Sequence, residues 1–201
     1  MNTLNSTKRF SNRVQDYVKY RPDYPAALMT YLVECCGLQP QHVVADIGSG
    51  TGLLTQPFLQ YGNRVYGVEP NAPMRSAAED WLKTYDNFES VEGQAEMTTL
   101  AAASVDWIVA GQAFHWFDPL ATRKEFARVL KPGGGIALIW NSRLVSDPFH
   151  QAYEQFLLAH APDYDVIRQQ RPTAPELERF LPPLLWMWPH LIINRSLILR
   201  D

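Results

Sequence analysis

One ten-residue stretch, VVADIGSGTG at 43–52, limits the possible folds of this chain more than any other feature. A short apolar run reaches Asp46, and glycines then alternate at Gly48, Gly50 and Gly52. An apolar helical pattern follows directly. A strand, a glycine turn and a helix in this order form the nucleotide-type ligand pocket of α/β sheets. Glycine suits such a turn because it lacks a Cβ, which permits positive φ and close approach of a ligand.

Hydrophobic periodicity and turn residues extend this pattern along the chain. Strands are predicted at 43–47, 64–69, 88–92, 105–110 and 136–140. Helices are predicted at 10–20, 26–36, 53–61, 73–85, 118–130 and 149–160. Strands that alternate with helices predict an α/β fold with a doubly wound, mostly parallel sheet. We expect a single domain made of a helical lid (1–40), an α/β core (41–145) and a C-terminal helix with an atypical tail (146–201).

Composition narrows the class of protein. The 201 residues suit one domain. The net charge is −3 and the sequence has no Lys/Arg run, so it lacks the basic surface pattern typical of nucleic-acid-binding proteins. The polar N-terminus lacks the apolar core of a signal peptide, and no apolar run reaches membrane-spanning length. Adjacent Cys35 and Cys36 suit neither a disulfide framework nor a metal site. We therefore expect a cytoplasmic monomer or weak homodimer with a small-molecule partner, without a metal and without nucleic-acid or membrane partners.

The spacing of acidic residues around the loop selects among ligands. The nicotinamide fingerprint is G-x-G-x-x-G, whereas here the third glycine comes one position early. Asp46 is expected to point into the mouth of the pocket, where it would repel a pyrophosphate and favour an ammonium or sulfonium group. Glu69 ends the next strand, where a carboxylate accepts hydrogen bonds from ribose hydroxyls. An adenosine sugar and a cation without phosphate describe S-adenosyl-L-methionine.

Five motifs in order resemble the class I S-adenosylmethionine-dependent methyltransferases of the type 11 group, over about residues 8 to 145. They are motif I at 44–52, the acidic loop at 66–74, the adenine-contacting segment at 93–96, motif IV beside the transferred methyl at 110–116, and the turn at 129–135. The resemblance implies a Rossmann-like fold. It also implies cofactor contacts at Asp46, Gly48, Ser49, Gly50, Gly52, Glu69, Pro70, Met74, Ala95, Glu96 and Gln112.

Residues 17–25 resemble the lid of the branch that is similar to trans-aconitate methyltransferase. By that resemblance Arg21, or a nearby tyrosine, contacts the carboxylate of the cofactor or an acidic substrate. The alternative is that Arg21 caps a helix or pairs with Asp23. Both interpretations remain open at the level of sequence.

His115 is the candidate catalytic residue, because it follows the fourth predicted strand at the edge where doubly wound sheets bind ligands. An imidazole titrates near neutrality and can remove a proton from a hydroxyl or amine acceptor, or it can orient an acceptor that is already ionised. A structural histidine is the alternative. Gln112 contacts ligand or caps the strand end. Three aromatic residues nearby form either the wall of the acceptor pocket or the core: Phe114, Trp116 and Phe117. Trp140 and Asn141, at the end of the fifth predicted strand, are also expected to face that pocket.

The tail from about residue 181 departs from the family pattern, in which strands six and seven form an antiparallel hairpin. Trp and Met have one codon each, and reading the codons of 186–189 one base early yields Asp-Val-Ala. We therefore expect a frameshift near residue 181, which would leave strand five as an exposed apolar edge.

The sequence supports two hypotheses about function: methyl transfer to a small molecule by in-line displacement, or S-adenosylmethionine binding by a truncated or inactive protein. A nicotinamide-dependent oxidoreductase gets little support.

Overall fold

The computed structural model of the chain describes residues 23–140, 147–161, 164 and 180. Several sequence predictions fall elsewhere. The helix predicted at 10–20, Arg21, Asn141 and the whole tail from residue 181 lie outside the described residues.

Five parallel strands form one sheet in the order β3-β2-β1-β4-β5. The strands are β1 Val43–Ile47, β2 Arg64–Val68, β3 Phe88–Val91, β4 Val105–Gly111 and β5 Leu130–Ile139. The predicted doubly wound parallel sheet is thereby confirmed, with the first four strands within one residue of their predicted bounds. The strand order reverses between β1 and β4, and in open α/β sheets a ligand binds at such a switch point.

The fifth strand begins earlier than the sequence predicts. Val105 pairs with Leu130 while Trp107 pairs with Gly135, so residues 131–134 bulge out opposite a single residue, Asp106. The carboxylate of Asp106 accepts hydrogen bonds of 2.8 Å from the Lys131 ammonium and of 2.8 Å from the Val43 N–H. The glycine-rich run resembles a free turn in sequence, but this polar contact ties it to the sheet as a bulge.

Helices connect the strands and are started by short polar caps. They are α1 Ala26–Glu34, α2 Thr55–Tyr61, α3 Ala72–Leu82, α4 Pro119–Val129 and α5 Pro148–His160, with a 3₁₀ turn at Phe114–Trp116. The caps Asn71, Asp118 and Asp147 each accept a hydrogen bond from a first-turn N–H and are followed by a proline in the first turn. Within the described ranges, no helix has both the length and the apolar character to cross a bilayer.

The two faces of the sheet carry separate apolar clusters. Leu28 and Leu32 of α1 and Phe58 of α2 pack against one face, together with Val44 of β1. Phe126 of α4 packs against the other face. The central strands are apolar on both faces, as a parallel sheet with helices on each side requires. Because all five strands are parallel, their carboxyl ends meet at one edge of the sheet.

A carboxylate on α4 holds the long loop between β3 and β4. Glu125 accepts hydrogen bonds from the Thr98 N–H at 2.8 Å, from the Thr98 hydroxyl at 2.6 Å and from Arg128 Nε at 2.8 Å. Arg128 also donates to the Leu100 carbonyl at 2.7 Å. The Arg128 hydrogen bonds outweigh the effect of burial and lower the pKa of Glu125 to about 2, with a further contribution from Thr98.

We expect this cluster to make the fold sensitive to acid. The pKa of Glu125 falls from 4.5 to about 2 on folding, so its contribution to stability is complete above 4.5 and is lost as the pH falls towards 2. Urea unfolding as a function of pH should show this loss in the wild-type protein and a smaller loss in Glu125→Gln. An unchanged acid limb in that variant would contradict the role given to Glu125.

Candidate functional site

Three glycines in the left-handed region form the loop after β1. Their φ angles are +70° at Gly48, +57° at Gly50 and +85° at Gly52. A Cβ on Gly48 would lie 2.7 Å from the Ala113 Cβ, and one on Gly52 would lie 2.6 Å from Leu82 Cδ1. A Cβ on Gly50 would meet nothing within 4 Å. Two glycines therefore serve internal packing, whereas Gly50 exposes its backbone to open space that a ligand can enter.

Glu69 holds the loop in this shape from the end of β2. Its carboxylate accepts the Gly50 N–H at 3.0 Å through one oxygen and the Asn71 N–H at 2.9 Å through the other. Burial raises the pKa of Glu69, while the two N–H donors act in the opposite direction. Each carboxylate oxygen keeps a second lone pair, so Glu69 can still accept hydrogen bonds from ligand hydroxyls beside Gly50.

Asp46 lies beneath the loop and does not point into the mouth of the pocket, so that sequence expectation is wrong. Its side chain is 0% exposed, and Oδ2 accepts the Thr55 hydroxyl at 2.7 Å. Because side chains alternate along β1, Asp46 shares with Val44 the face that α2 covers. Oδ1 is buried and has no hydrogen-bond partner among the described residues. Burial raises the pKa of Asp46 to about 7, with a smaller upward contribution from the charge of Glu69.

The residues that the resemblance assigns to the adenosine end differ in accessibility. Pro70 is exposed, whereas Met74 and Ala95 are buried. Glu96 is half-buried and accepts the Asp118 N–H at 2.7 Å, which joins the segment after β3 to the cap of α4. The loop after β3 and the start of α4 are thus held together, whether or not a ligand contacts either of them.

Gln112 leaves β4 in an unusual backbone conformation. Its φ is +58°, a region that residues other than glycine seldom adopt, and its N–H donates to the Ile139 carbonyl at 2.9 Å. The side-chain amide nitrogen is buried without a partner among the described residues. Strained backbone held by its surroundings concentrates at functional sites. The structure thus adds to the sequence prediction that Gln112 contacts a ligand.

His115 lies on the 3₁₀ turn that follows, at the carboxyl edge of the sheet where the sequence places it. It is half-buried, and its ring centroid is 4.7 Å from that of Trp116. Phe114 is core, because its ring packs edge-on against Phe180 at 4.6 Å and Trp140 at 6.1 Å. The open alternative for Phe114 is therefore resolved in favour of packing, and the Trp140 ring is buried beside it.

The sequence gives no indication of Thr55 as a residue of the site, and it indicates Tyr24 only as one of the tyrosines near Arg21. Thr55 supplies the hydroxyl that binds Asp46. Tyr24 lies so close to the end of β4 that a Cβ on Gly111 would overlap its hydroxyl. The only signal for Tyr24 is its place in the lid-like stretch, and no sequence signal marks Thr55. Among the described residues no group of three or more His, Cys, Asp or Glu could hold a metal ion.

Comparison with known proteins agrees with this geometry. Residues 45–138 match the family described as methyltransferase domain. An uncharacterized methyltransferase of Schizosaccharomyces pombe is 32% identical over 151 residues, which are 75% of this chain and 59% of that protein. One of Mycobacterium bovis is 35% identical over 134 residues, 67% of this chain and 52% of that protein. The chain therefore spans only somewhat more than half the length of these curated relatives.

The fold also matches solved structures. A crystal structure from Methanococcus maripaludis, provisionally named as an S-adenosyl-L-methionine-dependent methyltransferase, aligns with a TM-score of 0.64. The alignment covers 88% of this chain and 80% of that one at 19% identity. At this identity the likeness concerns the fold alone, which is the Rossmann-like sheet predicted from the sequence.

We expect Gly50→Ala to weaken ligand binding more than it weakens the fold. Gly50 and Gly37 both have positive φ and open space at the Cβ position, so alanine at either should destabilise the protein by about 1 kcal/mol. Only Gly50 lies in the candidate site. Calorimetric titration with S-adenosylhomocysteine should show a large loss of affinity in Gly50→Ala and none in the matched control Gly37→Ala. Equal affinities in the two variants would remove Gly50 from the site.

We also expect binding of a cationic ligand to depend on the ionisation of Asp46. Since burial raises its pKa to about 7, Asp46 is neutral below that pH and charged above it. Affinity for S-adenosylmethionine should therefore rise as the pH increases from about 6 to about 8. Asp46→Asn should abolish that rise, and the control Asp106→Asn, at the opposite end of the sheet, should keep it. A pH-independent affinity in the wild-type protein would count against this role.

Proposed function

We propose that the chain, whose residues 45–138 match the methyltransferase domain family, is an S-adenosylmethionine-dependent methyltransferase that acts on a small molecule. The observation that carries the proposal is the loop itself: Gly50 opens towards a ligand while its N–H is bound by Glu69. Asp46 lies buried directly below. The loop thus presents to a ligand both the exposed backbone of Gly50 and the carboxylate oxygens of Glu69.

The buried acidic pair suits an adenosyl sulfonium. Glu69 accepts hydroxyl donors, and the charge of Glu69 raises the pKa of Asp46, so a positive ligand would relieve the repulsion between them. A pyrophosphate placed here would add to that repulsion, which argues against a dinucleotide. When bound, S-adenosylmethionine supplies a methyl group on a positively charged sulfur. Glu69 and the loop glycines would hold it, buried Asp46 would balance its charge, and Ala95 and Glu96 would lie near the base.

The chain's own groups then position and deprotonate the acceptor. In-line displacement at a good leaving group needs orientation above all, and holding the acceptor supplies much of the acceleration. We assign His115 the removal of the acceptor proton, or the orientation of an acceptor that is already ionised. By the resemblance of residues 17–25 to the branch similar to trans-aconitate methyltransferase, Arg21, or a nearby tyrosine such as Tyr24, would contact the carboxylate of the cofactor or an acidic substrate. We propose a cytoplasmic monomer or weak homodimer.

Two measurements test the proposal. Calorimetric titration should show binding of S-adenosylhomocysteine and no binding of NAD, and the reverse result would favour an oxidoreductase. Incubation with methyl-labelled cofactor and a metabolite extract should then label a small molecule. Binding without any transfer would favour a cofactor-binding protein that lacks activity, whereas loss of both would refute the assignment.

We expect His115→Ala to separate chemistry from binding. Removal of a general base typically lowers kcat by about 10²-fold or more, while the proposed cofactor-binding residues at the ends of β1 and β2 are unchanged. Affinity for S-adenosylhomocysteine should therefore stay within roughly two-fold of the wild-type value. His160→Ala, at the far end of α5, is the control and should keep its activity. A large loss of cofactor affinity in His115→Ala would instead make the residue structural.

A further inference from the structure

Two buried N–H donors at the carboxyl ends of neighbouring strands have no hydrogen-bond partner within the described part of the chain. They are the amide Nε2 of Gln112, after β4, and the indole Nε1 of Trp140, after β5. Buried polar side-chain atoms are nearly always paired, with protein or with ordered water. Donors left unpaired at the ligand-binding edge of a parallel sheet therefore call for an acceptor from elsewhere.

The backbone places the two residues side by side. Gly111 and Ile139 form the last pair of the β4–β5 ladder, and the Gln112 N–H donates to the Ile139 carbonyl at 2.9 Å. Gln112 therefore follows one strand directly beside the residue before Trp140. His115 lies only three positions later in the sequence, within the 3₁₀ turn Phe114–Trp116. The donors thus lie on the β4 side of the switch point, across from the carboxylates of β1 and β2.

The residues that carry the two donors are held in place. Trp140 is 6% exposed, and its ring stands perpendicular to that of Phe114 at 6.1 Å. The backbone of Gln112 is held by its hydrogen bond to the Ile139 carbonyl, and its side-chain amide nitrogen is buried. Groups that packing and hydrogen bonds lock in position make precise binding contacts, because little freedom is lost when a ligand arrives.

We propose that Gln112 and Trp140 bind an oxygen of the methyl acceptor, and that the acceptor carries a carbonyl or carboxylate group. The inference rests on the proposed function and moves Gln112 from the cofactor to the acceptor. An indole N–H only donates, so its partner must be an acceptor atom. The cofactor's hydroxyl groups have an acceptor of their own in Glu69, and its positive charge would be balanced by buried Asp46, both on the other side of the switch point.

This arrangement would select the acceptor by rejecting molecules that lack the oxygen. An apolar analogue of the same shape would leave both donors buried and unpaired. Sites built around hydrogen bonds discriminate far more strongly against such analogues than apolar pockets discriminate by size. The polar pair would therefore decide the class of acceptor, while the lid and aromatic side chains would decide its shape.

The indole resonance of Trp140 tests the proposal directly. The chain has six tryptophans, so ¹⁵N-indole spectra contain few signals, and Trp140→Phe identifies the one that matters. With S-adenosylhomocysteine saturating, we would add benzoate, butanedioate and indole-3-acetate, then the corresponding amides, and toluene as the hydrocarbon match to benzoate. At least one acid or amide should shift the Trp140 signal downfield, and toluene should not. The stronger series, acid or amide, identifies carboxylate or carbonyl.

If no acid or amide shifts the Trp140 signal, or if toluene shifts it equally, the proposal is overturned. The same spectra report S-adenosylhomocysteine binding separately. Cofactor binding without a probe response refutes this inference alone, whereas absence of cofactor binding refutes the proposed function.

Matched variants supply a kinetic test on the acceptor found in the extract assay. Gln112→Met removes one donor with little change in volume, and Trp140→Phe removes the other while keeping an aromatic ring. Each should raise the acceptor KM about ten-fold. Affinity for S-adenosylhomocysteine should not change. Trp107→Phe, on β4 away from the site edge, is the control and should match the wild type. A lower Tm in Trp140→Phe and Gln112→Met with unchanged KM would assign both residues a structural role and overturn the proposal.

Discussion

The hydrogen bond from the Gly50 N–H to Glu69 is the contact on which the rest of the site depends. It links the loop after β1 to the end of β2, and so converts a flexible glycine turn into a defined surface. Asp46, at the end of β1, accepts the hydroxyl of Thr55 at the start of α2, and so joins the two elements that flank the loop. The result is a glycine loop bordered by two buried carboxylates, whose own repulsion favours a positive ligand.

The opposite half of the site is built on a different principle. The ends of β1 and β2 offer carboxylate oxygens, whereas the ends of β4 and β5 offer donors that have no acceptor among the described residues. The parallel sheet makes this division possible, because it brings the carboxyl ends of all strands to one edge and separates them by the switch between β1 and β4. One edge thus carries two chemically distinct halves, and His115 follows β4 on the donor half.

Helix α4 couples the two halves mechanically. The N–H of its cap, Asp118, donates to Glu96 in the loop after β3, and Glu125 within the helix accepts the Thr98 hydroxyl from the same loop. The helix starts shortly after the 3₁₀ turn that carries His115. A shift of α4 would therefore move the loop after β3 together with the turn that carries His115. The hydrogen bonds from Arg128 and Thr98 offset the desolvation of buried Glu125 at the centre of this arrangement.

Much of this protein follows from the sequence by itself. The order of strands and helices, the caps at Asn71 and Asp118, the glycine loop and the position of His115 arise from local spacing and turn chemistry, which act over a few residues. Tertiary structure alone decided the rest. Asp46 is buried because α2 covers its face of β1, β5 begins early because Asp106 binds Lys131, and Trp140 is buried because Phe114 and Phe180 pack nearby. Each of these outcomes depends on contacts between residues far apart in sequence, which spacing and propensity do not encode.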